Sequence, residues 1–331
     1  MPLAAAFPLA NSAARAAQKG NRMFFDDHPR FLETSTVIPK PDRLNLRYEA
    51  IFAANKDVLD GARVLDLASH DGRWSLAALR TGAAHVIGIE ARQEAVDNAN
   101  ANLAHYGAEP DTYQFHCGDI FDVLRREEFD VDVVLCLGYL YHTYRQTELL
   151  YRIRQLDPKY LLLDTQVIPR SEPFLKLYVD RPHKPGEATL DEFAHGTTTL
   201  VSRPSVPALQ MMLHAYDFGV EHICDWHALM AEHPEAGVIN DYARGERVTM
   251  RCRSGVTTLP TAGKAEAPTT SATTVIPPSA QPPSATPAAI ATESGHADAN
   301  NTATKRWRDL INRGLAVTTG YELRRSPRKE N

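Results

Sequence analysis

Short apolar runs alternate with helix-like segments between residues 64 and 165, and this alternation constrains the fold more than any other feature of the chain. The runs occupy residues 64–67, 86–90, 113–117, 131–137 and 160–165. They are almost continuously apolar, which is typical of strands that are buried on both faces of a parallel sheet. The segment 92–105 carries Val96, Ala99 and Leu103 at helical spacing. The sequence therefore predicts an α/β fold with a doubly wound sheet.

The region after residue 165 supplies two further strands. Residues 205–217 predict a helix, and residues 220–224 predict a sixth strand. In residues 246–253, Val248 and Met250 alternate with polar neighbours, which favours a final antiparallel strand. The predicted architecture is a Rossmann-like, seven-stranded, mostly parallel sheet that ends in an antiparallel strand.

The segment from residue 64 to Gly72 predicts a strand and a tight turn into a helix that begins near Arg73. Such a strand, turn and helix start form a nucleotide-type site. Glu90 ends the next run about two dozen residues after Asp66, where a doubly wound sheet places the carboxylate that binds a ribose diol. A buried strand and a capped helix without any ligand remain the alternative.

The composition of the turn separates two kinds of nucleotide ligand. A dinucleotide site needs G-x-G-x-x-G so that bare backbone reaches the pyrophosphate. Here Ala68 and His70 replace the first two glycines, and an imidazole would crowd a pyrophosphate. The acids Asp66 and Asp71 also suit a positively charged ligand. The turn therefore favours S-adenosylmethionine over NAD.

Residues 43–253 resemble the class I S-adenosylmethionine-dependent methyltransferases. The resemblance consists of the turn, Glu90, the step Gly118-Asp119-Ile120 and residues 137–143, which read Leu-Gly-Tyr-Leu-Tyr-His-Thr. The last segment is similar to a subgroup of small-molecule and tRNA-modifying members. The turn departs from the usual Gly-x-Gly-x-Gly pattern.

The resemblance implies a role for each matching position. Asp66 and Gly72 would frame the methionine end, Glu90 would accept the ribose hydroxyls, and Asp119 would receive the adenine amino group. The alternatives are a strand-end acid for Glu90 and an Asx-turn for Asp119. The implied cofactor-binding residues are Asp66, Ala68, Asp71, Gly72, Glu90, Asp119, Ile120 and Leu137.

His142 is the candidate catalytic base. It follows the fourth strand at the carboxyl edge of the sheet, where such folds bind ligands, and an imidazole normally titrates near neutral pH. Tyr139, Tyr141 and Tyr144 surround it in the sequence and are candidates for shaping an acceptor pocket. The alternative is that His142 bonds a neighbouring loop and the tyrosines pack.

Residues 168–204 are too long for a simple connection and predict an insertion that covers the substrate. Its acids, aromatics and arginines, including Glu172 and Tyr178, suit a polyhydroxylated acceptor such as a saccharide. A solvated loop or a dimer contact is the alternative. Asp164 is a weak candidate for binding a divalent metal near the insertion, and a metal is not favoured.

The remaining segments differ sharply in composition. Residues 1–20 are expected to be disordered, residues 21–254 form the predicted methyltransferase domain, and residues 23–46 are expected to cover the cofactor edge. Residues 255–304 are rich in Ala, Pro, Ser and Thr, which predicts a disordered linker. Residues 305–331 predict a short basic amphipathic helix that contacts an anionic membrane, an acidic partner or the enzyme itself.

Bulk properties narrow the class of protein. The chain has 36 Lys and Arg against 41 Asp and Glu, a formal net charge of −5, which makes a nucleic-acid partner unlikely on balance. It has four cysteines without metal spacing, which are expected to be buried thiols in a reducing compartment. A cytoplasmic location is predicted, and a homo-oligomer is compatible with the sequence.

The favoured hypothesis is an S-adenosylmethionine-dependent O-methyltransferase that acts on a hydroxyl of a small molecule, such as a saccharide or glycolipid precursor. Two alternatives remain open. One is a tRNA wobble-uridine modifying enzyme of the same fold, and the other is a protein that binds S-adenosylmethionine without catalysis.

Overall fold

The structure, a computed structural model, describes residues 22–36, 40–182 and 192–255. The predicted disordered N-terminus and basic C-terminal segment lie outside these residues. The predicted linker also lies outside them, except for Gly255. Part of the predicted insertion, residues 183–191, is likewise not described.

Seven strands form the main sheet in the order β3-β2-β1-β4-β5-β9-β8. The first five strands of the chain are parallel, and β9 runs antiparallel to both of its neighbours. This confirms the predicted sheet. The strands are β1 (Arg63–Leu67), β2 (His85–Glu90), β3 (Tyr113–Cys117), β4 (Val133–Leu137), β5 (Tyr160–Gln166), β6 (Leu175–Asp180), β7 (Thr199–Pro204), β8 (Phe218–Ile223) and β9 (Arg247–Ser254).

Helices cover both faces of the sheet. They are α1 (Arg30–Glu33), α2 (Pro41–Ile51), α3 (Lys56–Leu59), α4 (Arg73–Thr81), α5 (Gln93–His105), α6 (Ile120–Arg126), α7 (Gln146–Gln155), α8 (Val206–Ala215), α9 (Trp226–Glu232) and α10 (Asn240–Ala243). Successive residues of each strand belong to opposite cores, because side chains alternate along a strand. In β4, Val134 packs in the core under α6, α7 and α8, whereas Val133 and Leu135 pack in the core under α2, α4 and α5.

Two sequence-based boundaries and one burial prediction need correction. The predicted sixth strand begins at Phe218, because the completely buried Phe218 belongs to the core and pairs with Ser254. The fourth strand begins at Val133 and not at Val131. Cys117 was expected to be buried, but it is exposed because it ends β3, which is an edge strand of the sheet.

The insertion contains an antiparallel ribbon that the sequence analysis did not predict. Strand β6 pairs with β7, from Leu175 opposite Pro204 to Asp180 opposite Thr199. The two ends of the insertion meet at a bridge between Ile168 and Ser205, and the Ile168 N–H donates to the Pro204 carbonyl at 2.8 Å. The ribbon also contacts the domain at Ser202, whose carbonyl accepts the Gln146 side-chain amide at 2.7 Å.

The N-terminal segment from Met23 packs over α4 and α5. Phe25 is buried with its ring edge against Trp74 of α4, at 5.4 Å between ring centroids. Helix α2 continues this cover and brings Arg43 and Arg47 to the carboxyl edge of the sheet. Across the described residues, no helix combines the length and apolarity that crossing a membrane requires.

Candidate active site

A cavity of about 350 Å³ opens at the carboxyl ends of β1, β2 and β4. This is the edge at which doubly wound sheets bind ligands, and the volume lies within the range of small-molecule sites, about 300–1,000 Å³. Four predicted cofactor residues and three predicted catalytic or acceptor residues contribute to its wall: Ala68, Glu90, Ile120, Leu137, Tyr139, Tyr141 and His142.

The turn after β1 adopts the backbone of a glycine-rich turn with only one glycine. Ala68, His70 and Gly72 all have positive φ, at 55°, 53° and 78°. Such values are uncommon for residues with a side chain and are retained where the surroundings fix them. A Cβ at Gly72 would lie 2.8 Å from Leu103 Cδ1. Gly72 is therefore required for the close contact between this turn and α5.

Side chains on both sides fix the conformation of His70. Its Nε2 lies 2.6 Å from Thr36 Oγ1, and its Nδ1 lies 3.2 Å from Asp71 Oδ1. The imidazole therefore forms part of the cavity wall at the turn, where a dinucleotide site would have bare backbone.

Glu90 is buried and faces the cavity at the end of β2. Its two carboxylate oxygens each accept a backbone N–H at 3.0 Å, one from His70 and one from Arg92. Each oxygen retains acceptor capacity for a further donor. Glu90 therefore supports the turn and presents its carboxylate to the cavity.

Asp66 supports the turn from beneath and does not line the cavity. It is almost completely buried and accepts the Ser75 hydroxyl at 2.7 Å. Burial raises the pKa of Asp66 to about 7; the Ser75 bond opposes this shift, and the nearby Glu90 and Asp71 add to it. The prediction that this acid contacts the cofactor does not match its position.

Asp71 is likewise directed away from the cavity, into a buried pair with Arg73. Burial acts to raise the pKa of Asp71, but Arg73 and His70 hold it well below its usual range. Glu90 is therefore the one carboxylate among the described residues that line this cavity. Asp66 and Asp71 therefore contribute no carboxylate to the cavity surface, although the sequence suggested that these two acids suit a positively charged ligand.

Two more predicted cofactor residues stand behind the wall. Gly72 contacts α5, and Asp119 caps α6 by accepting the N–H groups of Phe121 and Asp122 at 2.9 and 3.1 Å. Burial raises the pKa of Asp119, and these two bonds oppose the shift. Its neighbour Ile120 does line the cavity.

A second cavity of about 290 Å³ adjoins the first beneath the β6–β7 ribbon. Tyr141, His142 and Gln166 line both cavities. Tyr178, a predicted acceptor residue, lies in the second cavity, whereas Tyr144 and Glu172 are exposed and line neither. His142 Nδ1 lies 3.3 Å from Asp180 Oδ2 on the ribbon, so the insertion supplies a carboxylate to the candidate base.

Asp164 binds basic groups and hydroxyls, which corrects the hypothesis that it binds a metal. Its Oδ1 accepts Arg47 at 3.0 Å and Arg247 at 2.6 Å. Its Oδ2 accepts the hydroxyls of Tyr242 and Thr249, both at 2.6 Å. Two guanidinium groups repel a cation. Within the described part of the chain, no group of three or more potential metal ligands is assembled.

These contacts fix the charges around β5. Burial acts to raise the pKa of Asp164, but Arg247 and Arg47 hold it well below its usual range. Burial also acts to lower the pKa of Arg247, yet Asp164 raises it well above its usual value. Both arginines are therefore charged, and both line the first cavity.

The sequence analysis missed the arginines that line this wall. Arg47 is on α2 and Arg247 begins β9, far from the motif region. The available signal was the register of the final strand, which places Arg247 opposite Gln166 at the end of β5. Other lining residues that were not predicted are Thr36, Arg43, Arg73, Trp74, Ala91, Arg92 and Gln166. His70 and Gly138, which belong to the predicted turn and to the segment 137–143, also line the cavity.

Comparison with known proteins adds a family match over the motif region. Residues 64–156 match the family model of a methyltransferase domain. A ribosomal RNA large subunit methyltransferase I from Pseudoalteromonas translucida (strain TAC 125) is 37% identical over 67 residues, which are 20% of this chain and 17% of that protein. The chain thus spans less than a fifth of the length of this relative.

Solved structures with similar folds share little sequence with this chain. An S-adenosylmethionine-dependent methyltransferase from Mesorhizobium loti is 18% identical and gives a TM-score of 0.43 over 63% of this chain and 99% of that chain. The N-terminal domain of EvdMO1, crystallised in the presence of SAH and D-fucose, is 20% identical with a TM-score of 0.42 over 64% of this chain and 82% of that chain. The family match confirms the prediction of a methyltransferase domain over residues 64–156. S-adenosylmethionine as the cofactor and the subgroup remain predictions.

Proposed function

We propose that this protein transfers the methyl group of S-adenosylmethionine to a hydroxyl oxygen of a small-molecule acceptor. The observation that carries the proposal is the position of His142. It lies where the two cavities meet, and Asp180 occupies its Nδ1. The Nε2 atom is therefore the nitrogen available to an acceptor hydroxyl.

The first cavity fits S-adenosylmethionine by the chemistry of its donors and acceptors. Glu90 offers carboxylate oxygens to the ribose diol, and Ile120 and Leu137 offer apolar surface to the adenine. Arg47 is buried, and its Nε has no hydrogen-bond partner among the described residues, which suits the carboxylate of the methionine end. When bound, the cofactor supplies a methyl group on a sulfonium, which is a good leaving group.

The residues of this chain then have three tasks. The Ala68–His70 turn and Glu90 hold the cofactor end, and the ribbon closes the acceptor end. His142 accepts the proton of the acceptor hydroxyl through Nε2. Asp180 accepts the Nδ1 hydrogen of the ring, which fixes the tautomer and stabilises the imidazolium that forms.

A polyhydroxylated acceptor such as a saccharide suits the second cavity. Gln166, Tyr178, Asp180 and Arg203 give its wall both donors and acceptors. Such side chains can bind several hydroxyl groups at once. The identity of the acceptor is addressed by assay.

Transfer of labelled methyl from S-adenosylmethionine into a small-molecule extract tests the proposal. We expect His142→Gln to lower kcat by about 10²- to 10⁴-fold, with the Kd for S-adenosylmethionine unchanged in calorimetry. Asp180→Asn should lower kcat less, because the ring loses the carboxylate that fixes its tautomer.

His233 provides a matched control, since it also lies 3.3 Å from a carboxylate, Glu235, and lines neither cavity. His233→Gln should retain full activity. Wild-type turnover by His142→Gln at every pH would exclude the assignment of the base. Cofactor binding without turnover by the wild-type protein on any extract would favour a non-catalytic binding protein.

A further inference from the structure

Positive charge accumulates in the wall of the first cavity, next to Tyr141, which also lines the second cavity. Arg47 and Arg247 share the carboxylate of Asp164, and all three side chains are at most 10% exposed. Arg43, by contrast, has its own carboxylate in Asp241. The group of two arginines and one aspartate therefore carries one uncompensated positive charge, and burying such a charge is costly unless another group neutralises it.

Arg203 on β7 adds a second positive charge to this region. Its guanidinium lies 4.5 Å from the Tyr178 ring centroid and 6.0 Å from that of Tyr141. Among the described residues no carboxylate pairs with Arg203. Its cross-strand neighbour in the ribbon is Lys176, whose ammonium also lies over Tyr178, at 5.1 Å. Like charges placed directly opposite each other destabilise a strand pair, so the ribbon retains this arrangement at a cost in stability.

Tyr141 connects the two charged groups. Its ring has Arg247 at 5.4 Å and Arg203 at 6.0 Å from its centroid, and it lines both cavities. A ligand group over this ring is therefore near both guanidinium groups. S-adenosylmethionine would bring its methionine carboxylate to Arg47, but it also adds a sulfonium and an ammonium to the same region, so a demand for negative charge remains.

Gln166 indicates that the ligand also carries a hydrogen-bond donor. It ends β5 and lines both cavities, and its Oε1 is buried without a hydrogen-bond partner in the described structure. A buried acceptor that stays unpaired costs free energy, which a donor from the ligand recovers. A hydroxyl group next to the one facing His142 supplies that donor.

We infer that the methyl acceptor is a hydroxylated anion, whose carboxylate or phosphate group binds between Arg203 and Arg247. Its reacting hydroxyl faces His142, and a neighbouring hydroxyl donates to Gln166. This inference rests on the proposed methyl transfer for the identity of the ligand as the acceptor. The anion site itself is independent of catalysis.

Binding of simple anions tests the site without turnover. The probes are inorganic phosphate and acetate, titrated by NMR into the full-length protein saturated with S-adenosylhomocysteine. We expect at least one probe to bind. Arg203→Gln should raise the Kd of that probe about tenfold, because the variant loses a charge-assisted hydrogen bond to the anion. Arg203→Lys should retain most of the affinity, because it keeps the charge.

Lys176→Gln is the matched control, because Lys176 has the same charge on the same ribbon and lines neither cavity. It should bind the probe like the wild-type protein. Preference for phosphate over acetate, or the reverse, identifies the anionic group. Equal binding by Arg203→Gln and the wild-type protein, or no binding of either probe, would overturn the inference.

A methyl-transfer assay then separates the two proposals. Small-molecule extract is divided by anion exchange, and labelled methyl groups are traced into each fraction. The inference expects label in the acidic fraction, with a raised KM for Arg203→Gln. Label in the neutral fraction alone would refute the anionic acceptor and leave the methyl transfer intact, whereas anion binding without label in any fraction would refute the methyl transfer and leave the anion site intact.

Discussion

Asp66 and Asp164 are the same chemical group in two opposite environments. Each belongs to a parallel strand, β1 or β5, and each is at most 1% exposed. Asp66 has a serine hydroxyl and two nearby acids, and its pKa is raised to about 7. Asp164 has two arginines and two hydroxyls, and its pKa is held well below the usual range.

The difference shows that burial alone does not decide the charge of a carboxyl group. Desolvation raises the pKa of both acids, and their partners determine the outcome. The consequence extends to the cavity. The β1 end favours a neutral acid beneath the turn of residues 68–72, whereas the β5 end keeps an ion cluster with excess positive charge in the wall of the first cavity.

Asp164→Asn should lower the stability of the protein more than any of the variants that follow. It leaves Arg47 and Arg247 buried without a counter-charge, and removing one partner of a buried pair costs about 3–5 kcal/mol. Urea unfolding measures the loss. Asp241→Asn is the control, because it removes the partner of the more exposed Arg43 and should cost clearly less. A loss below about 1 kcal/mol for Asp164→Asn would contradict the cluster's role.

Asp66→Asn should raise the stability of the protein, by an amount that depends on pH. The folded pKa of about 7 exceeds the ordinary value of 3.8, so between these pH values the folded protein holds a proton that the unfolded chain has released. This acid therefore lowers stability progressively as pH rises across that interval. The free energy of unfolding of the variant should exceed that of the wild-type protein by up to about 4 kcal/mol at pH 8, since each pH unit contributes about 1.4 kcal/mol. Below pH 4 the two proteins should differ little.

The measurement is the unfolding free energy from pH 4 to pH 8. Asp130→Asn is the control, because the Asp130 side chain is 90% exposed and should show no comparable gain. A gain for Asp66→Asn that stays constant across the interval would mean that Asp66 is ionised throughout.

Tyr242→Phe tests how much one hydroxyl donor to Asp164 contributes to stability. The ring should keep its stacking on Trp226, at 3.5 Å between centroids, while the hydroxyl bond to the carboxylate is lost. Hydrogen bonds to charged groups contribute about 1.5–3 kcal/mol. Thermal unfolding should show this loss, and Tyr144→Phe, at an exposed tyrosine, should show none.

Ser75→Ala should give the smallest effect on stability. It removes the Ser75 hydroxyl that stabilises the ionised form of Asp66, so the pKa of Asp66 should rise further. We expect a change in unfolding free energy of about 0.5–1.5 kcal/mol and an upward shift in the carboxyl titration followed by NMR. Thr81→Val, in the same helix, removes a hydroxyl bonded to a backbone carbonyl and should leave that titration unchanged.

The sequence was sufficient for the parts of the fold that depend on local patterns. Continuous apolar runs predicted the parallel strands. The β6–β7 ribbon was missed because β6 is largely solvent-exposed, so Leu175, Leu177 and Val179 do not mark a core face. The motif region was also enough to predict the methyltransferase domain.

The site was harder to predict, because facing the cavity depends on tertiary contacts. Glu90 and Asp66 both lie near strand ends, yet only Glu90 reaches the cavity. No local pattern indicates that Ser75 covers Asp66 or that Arg73 binds Asp71. Arg47 and Arg247 meet at Asp164 only because α2, β5 and β9 converge there.

The bridge between Ile168 and Ser205 allows the insertion to be exchanged as a unit. The chain leaves and rejoins the sheet at neighbouring residues, and the Ser205 hydroxyl ties both sides of the bridge by donating to the Glu172 carbonyl and accepting the Phe174 N–H. Recombination at these two positions can replace one wall of the second cavity while the register of β5 and β9 stays unchanged. If the proposed function holds, grafting a single segment changes the acceptor side of the site and leaves the first cavity unchanged.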